Sequence, residues 1–333
     1  MHKELIIQKL PTDFCHASTI LALPNGELLC CWFGGSHEGN SDVAIYMSRR
    51  GIDGLWSAPQ KIVDGCEANW NPVLYLNEEN RVVLYYKEGQ QIAAWRTLVM
   101  ESVDAGHNWS EPSELVAGDI SGGRGPVRNK LLQLKSGRLL AGASTEHGLW
   151  KAYADRSDDG GKTWTLSHPI VISNLEYQKG EKTAESKIAV SEQSFYGRGV
   201  IQPSLWKGAD GSVHMLLRSS EGFIYRSDSK DGGISWSSAY KTELPNNNSG
   251  LDLTRGSDGC LYLVCNPVAA NWGMRSPLTL FKSEDDGISW HKLFDLEREE
   301  GEFSYPAIIS ADKKLYISYT YNRVNIAALE IEL

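Results

Sequence analysis

The chain has 333 residues, a formal net charge of −9, 41% hydrophobic residues and six cysteines. The acidic balance argues against a phosphate-backbone partner, so no nucleic acid is expected. No apolar run approaches the roughly 18 residues of a membrane span, and the opening Met-His-Lys-Glu-Leu lacks a signal-peptide core, so the expectation is a cytoplasmic protein with no membrane partner. The cysteines include two neighbours, Cys30 and Cys31, and no CxxC spacing, which predicts six reduced core residues and no zinc site.

In chain order, short apolar runs read as strands at Thr19–Leu23, Glu27–Phe33, Val43–Ser48, Val82–Lys87, Ser212–Arg218 and Leu261–Asn266. Turns such as Pro24-Asn25-Gly26, Ala209-Asp210-Gly211 and Ser257-Asp258-Gly259 separate them, and Asn-Gly or Asp-Gly between apolar runs is a hairpin signal. The pattern Ser-x-Asp-x-Gly-x-x-Trp punctuates this alternation four times: Ser102–Trp109, Ser157–Trp164, Ser229–Trp236 and Ser283–Trp290. Each copy predicts a hairpin in which the aspartate folds onto backbone N–H groups, glycine takes positive φ and tryptophan plugs the next strand. A degenerate copy, Ser48–Trp56, precedes them.

The four box tryptophans are separated by 55, 72 and 54 residues, and such a period signals a repeat architecture. The long interval carries extra polar sequence between residues 174 and 198, read as one inserted loop in a single domain covering 1–333. About four strands per unit and no helical periodicity predict an all-β fold, a six-bladed β-propeller. Seven blades is the alternative count, and a β-sandwich leaves the period unexplained. The last strand, Arg323–Leu333, is expected to pair with Glu4–Lys9 and close the ring.

A propeller channel takes one or two residues from every blade, so polar residues that break the pattern at equivalent places are the site candidates. They are His16, Glu38 and Asp42 in the first unit, Asn71 and Lys87 in the second, and Arg128, Lys130 and Glu146 in the third. The later units contribute Gln202, Arg218, Asp252, Arg275, Glu302 and Tyr305. Two Asn-x-Ser matches, Asn108-Trp-Ser and Asn247-Asn-Ser, have no meaning without secretion, and the glycine-rich 121–126 is not a phosphate loop because no GK[ST] follows.

The boxes, the unit length and these flanking residues resemble the sialidase (neuraminidase) superfamily, in its bacterial BNR-repeat branch. The resemblance spans nearly the whole chain. It implies an exo-glycosidase acting on a terminal acidic sugar, without cofactor or metal. Arg218 and Arg275 would clamp the carboxylate, Tyr305 would be nucleophile or charge stabiliser, and Asp42, or alternatively Glu38, the acid/base. Asn71, Gln202, Lys130 and Asp252 would contact substrate. Two positions depart from the family pattern: His16 stands where its first arginine is expected, and Gln202 where a glutamate pairs with the tyrosine. Two alternatives stay open: a lyase that eliminates across a uronate using His16 and Tyr305, and a non-catalytic sugar-binding propeller.

Overall fold

The computed structural model describes residues 2–185 and 192–333; the middle of the predicted insertion, 186–191, lies outside the described residues. Among the described residues the strands form four four-stranded antiparallel sheets and one eight-stranded sheet, whose two antiparallel halves, the third and fourth sets below, are joined by parallel pairing of Leu149 and Trp150 with Arg198 and Gly199. The first set is Phe14–Ala22, Leu28–Gly35, Ala44–Arg50 and Gln60–Val63, and the second is Asn69–Leu76, Val82–Glu88, Arg96–Ser102 and Ser113–Glu114. The third is Leu132–Gln133, Leu139–Thr145, Leu149–Ser157 and Thr165–Leu166, and the fourth Arg198–Lys207, Val213–Ser219, Phe223–Ser229 and Tyr240–Pro245. The fifth is Asp252–Arg255, Leu261–Cys265, Leu278–Ser283 and His291–Glu297.

The sixth set joins the two ends of the chain. Phe303–Ala311, Lys314–Tyr321 and Asn325–Glu332 are completed by His2–Leu5, which pairs in register from His2 with Glu330 to Leu5 with Ala327. The predicted closure therefore forms, but with His2–Leu5 rather than Glu4–Lys9. Arg323 drops out of the last strand and sits in the preceding turn, where its side chain meets Glu38 and Glu302.

The box hairpins form as the sequence dictates. In the fourth, Ser283 Oγ donates to Asp285 Oδ1 at 2.8 Å, and the same carboxylate accepts the Ser289 N–H at 2.9 Å. Gly287 supplies φ 82°, and its N–H donates to Ser283 Oγ. These bonds hold the carboxyls of Asp159 and Asp285 down to about 2. Between the sets, apolar faces interlock: Phe33 and Ile45 of the first pack with Trp70, Leu84 and Tyr86 of the second. Burial of these large side chains contributes roughly 1.5–3 kcal/mol each. Cys15, Cys30, Cys31 and Cys265 are buried as expected, whereas Cys66 is exposed and Cys260 only partly covered.

One irregularity recurs where it matters. The first strands of four sets are bulged, with register shifts between His16 and Thr19, Trp70 and Val73, Ile201 and Ser204, and Ser304 and Ala307. At each bulge one non-glycine residue takes positive φ: Ala17 (55°), Asn71 (45°), Gln202 (54°) and Tyr305 (52°). Proline follows three of them, namely Pro72, Pro203 and Pro306. Such conformations cost on the order of 1–3 kcal/mol and gather at functional sites. Here they re-aim the strand's side chains at one end of the sheets.

Candidate active site

Three of the bulge residues, Asn71, Gln202 and Tyr305, line one hollow of about 390 Å³ including its mouth. The indoles of Trp70, Trp95 and Trp272 form its apolar walls, and Glu38, Glu146 and Arg218 supply charge. Aromatic walls with a few convergent polar groups are the usual composition of a small-molecule site.

Tyr305 is the centre of the arrangement. Its Oη accepts from Arg218 Nη1, and the guanidinium carbons of Arg128, Arg218 and Arg275 lie 5.4, 5.6 and 5.4 Å from its ring centroid. The His16 ring stands 4.3 Å away, centroid to centroid. Gly250 lets the tyrosine settle: a Cβ at 250 would lie 3.2 Å from Tyr305 Cγ. Arg128 is fixed by donating to the Tyr305 and Pro306 carbonyls, at 2.6 and 3.1 Å.

Arg218 is the penultimate residue of the second strand of the fourth set, opposite Ile201. Its Nε donates to Asn248 Oδ1 at 3.0 Å and its Nη1 to Gln202 Oε1 at 3.1 Å, so it carries no carboxylate partner among the described residues. An asparagine corner, buried at Asn246, Asn247 and Asn248, holds it. Asn246 Oδ1 accepts the N–H of Asn248, and Asn248 Nδ2 donates to Asn271 Oδ1. The Asn247-Asn-Ser match is thus part of this support rather than an exposed acceptor.

The remaining cations are cross-linked by carboxylates. Glu302 Oε1 accepts from Arg275 Nη1 at 2.6 Å and from Arg323 Nε at 2.8 Å, and Arg323 Nη1 reaches Glu38 Oε2 at 2.5 Å. Arg275 Nη2 and Arg323 Nη2 are buried without a hydrogen bond among the described residues. Burial pulls Arg275 below its ordinary range despite Glu302 beside it. Two unsatisfied, buried donor groups on neighbouring guanidiniums carry a desolvation cost that an anionic acceptor would offset.

His16 has Nδ1 2.9 Å from Thr320 Oγ1 and is buried. Burial, followed by the charges of Arg323, Arg275, Arg128 and Arg218, holds it well below the ordinary 6.5. Both effects favour the uncharged imidazole at His16. Asp42 differs from expectation. It is exposed and accepts the Ser36 N–H and Oγ at 2.8 and 2.9 Å, capping its own loop, while Glu38 from that loop turns into the hollow.

Lys130 and Asp252 pair with each other at 2.7 Å away from the lining, and Asp252 also accepts from Ser204 Oγ and the Ile308 N–H. Lys87, at the place in its set that Arg218 occupies in the fourth, donates to Thr97 Oγ1 and the Arg124 carbonyl instead of entering the hollow. Burial pushes it down to about 7. Arg128, Glu146 and Glu302 were visible as pattern-breaking polar residues without assigned roles. Arg323 had no sequence signal, because it is one turn residue 307 positions from His16.

The hairpin boxes, the β-propeller they build and the hollow bordered by Arg218 and Tyr305 define a BNR-type propeller. Residues 26–317 match the BNR repeat-like domain, and the chain belongs to that family. No curated protein matches it. Among solved structures, a protein of unknown function from Dyadobacter fermentans aligns at TM-score 0.77 and 14% identity, over 100% of this chain and 98% of its own. The NanB sialidase from Streptococcus pneumoniae aligns at 0.76 and 14% identity, over 99% of this chain and 70% of its own. The intramolecular trans-sialidase from Ruminococcus gnavus, solved with oseltamivir carboxylate, aligns at 0.69 and 13%, over 97% and 95%. At these identities the likeness is one of fold.

Proposed function

We propose that the chain is a six-bladed propeller, one blade per four-stranded set, that hydrolyses a terminal acidic sugar from an oligosaccharide. The observation that carries this reading is the pair of buried, unsatisfied nitrogens on Arg275 and Arg323 beside Arg218, the guanidinium without a carboxylate partner. A sugar carboxylate seated there would complete both groups, and its ring would lie against the tryptophans. The anomeric carbon would then face Tyr305, whose oxygen is fixed by Arg218. Positioned charge of this kind is the largest contributor in many enzymes. Arg323 takes over the clamp position that His16 vacates. No metal is required for this chemistry.

Arg323→Ala tests the clamp. It should lower kcat/KM on an acidic glycoside by about 100-fold, or about 2.7 kcal/mol. A change within about threefold would remove Arg323 from the clamp.

A second reading is supported by His16, whose ring stands 4.3 Å from that of Tyr305 and which burial holds below its ordinary range. A neutral imidazole can take the proton next to a uronate carboxylate while the phenol protonates the leaving oxygen, giving an unsaturated sugar. Near-ultraviolet absorbance of the product separates that elimination from hydrolysis.

A further inference from the structure

Hydrolysis needs a group that protonates the leaving oxygen, and most carboxylates at this site are committed elsewhere. Asp42 caps an exposed loop through Ser36. Glu38 is ion-paired with Arg323, and Glu302 is shared by Arg275 and Arg323. Glu146 differs from all three. It lies in the turn after Leu139–Thr145, borders the same hollow as Tyr305 and Gln202, and makes no ion pair among the described residues.

We propose that Glu146 is the proton donor of the reaction, in place of Asp42, whose carboxylate caps its own loop. The inference rests on the hydrolytic reading above. The Glu146 carboxyl gives its proton to the bridging oxygen as the bond from the anomeric carbon breaks, and the electron pair leaves with the aglycone as an alcohol. The cation left at the anomeric carbon faces Tyr305 and the clamped carboxylate. Water adds to it, and the surplus proton returns to the Glu146 carboxylate, restoring the starting state. Burial raises Glu146 above the ordinary carboxyl range against the opposing pull of the Arg218 charge and of Gln202, with Glu38 adding to the rise, which suits a group that must carry its proton into the reaction.

General-acid catalysis has a signature that a structural role lacks: it matters for poor leaving groups and little for good ones. The methyl and 4-nitrophenyl glycosides of sialic acid and of glucuronic acid supply both kinds. Glu146→Gln should lower kcat/KM on the methyl glycoside by about 100-fold or more, leave the 4-nitrophenyl glycoside within about tenfold, and remove the basic limb of the pH profile. Equal loss on both glycosides, or no loss on either, would overturn the assignment. If E146Q does not fold, E146D carries the test: its shortened acid should slow the methyl glycoside more, and equal slowing overturns the proposal. Wild-type protein that cleaves none of the four overturns the hydrolytic reading together with this one. Wild-type cleavage with E146Q unimpaired overturns this one alone.

Discussion

Gln202 and Tyr305 occupy the same place in two different sheets and meet on one nitrogen. Each is the positive-φ residue of a first-strand bulge, at 54° and 52°, and each is followed by proline. Gln202 Oε1 and Tyr305 Oη both accept from Arg218 Nη1. Because the partner at 202 is an amide, Arg218 keeps its full charge for a ligand. A carboxylate there would neutralise it in advance.

That difference is testable. Gln202→Glu should weaken binding of sialic acid or glucuronic acid by about tenfold, or about 1.4 kcal/mol, measured by calorimetry. Tighter binding would show that the amide is not what keeps Arg218 available.

His16 gives a pH prediction of definite sign. Its folded-state value lies below the unfolded 6.5, so the unfolded chain binds a proton that the native chain does not. Stability attributable to His16 is complete above that value and falls as pH drops below it. Urea midpoints measured from pH 7.5 to 5 should therefore decline more steeply for wild type than for His16→Gln. Parallel curves would mean that the native imidazole titrates normally.

Lys130 and Asp252 form a largely buried ion pair that also fixes the bulge of the sixth set through the Ile308 N–H. Asp252→Asn leaves the lysine uncompensated and should destabilise by about 3–5 kcal/mol in chemical denaturation. A loss below about 1 kcal/mol would show that solvent relaxes around Lys130.

The repeat was legible because a box hairpin is local: four fixed letters specify a turn whose bonds all lie within eight residues. Arg218, Arg275, Gln202 and Tyr305 were also legible, since each breaks an apolar pattern at a comparable place in its unit. The bulges left a mark in Asn71-Pro72, Gln202-Pro203 and Tyr305-Pro306, although a proline pair alone does not say which way a side chain turns. The acid loop was harder. Glu38 and Asp42 are four residues apart with the same chemistry, and only the bond from Ser36 to Asp42 decides which turns inward. Arg323 depends on ring closure, which brings the last turn beside the first strand, and no local pattern encodes that contact.

The most direct test of the account is digestion of sialic acid- and glucuronic acid-terminated oligosaccharides in water enriched in oxygen-18, read by mass spectrometry and ultraviolet absorbance. Hydrolysis at the hollow beside Arg218 and Tyr305 predicts a released acidic monosaccharide carrying one heavy oxygen, and loss of that product in Arg323→Ala. An unsaturated product without heavy oxygen, or heavy product undiminished in Arg323→Ala, would contradict it.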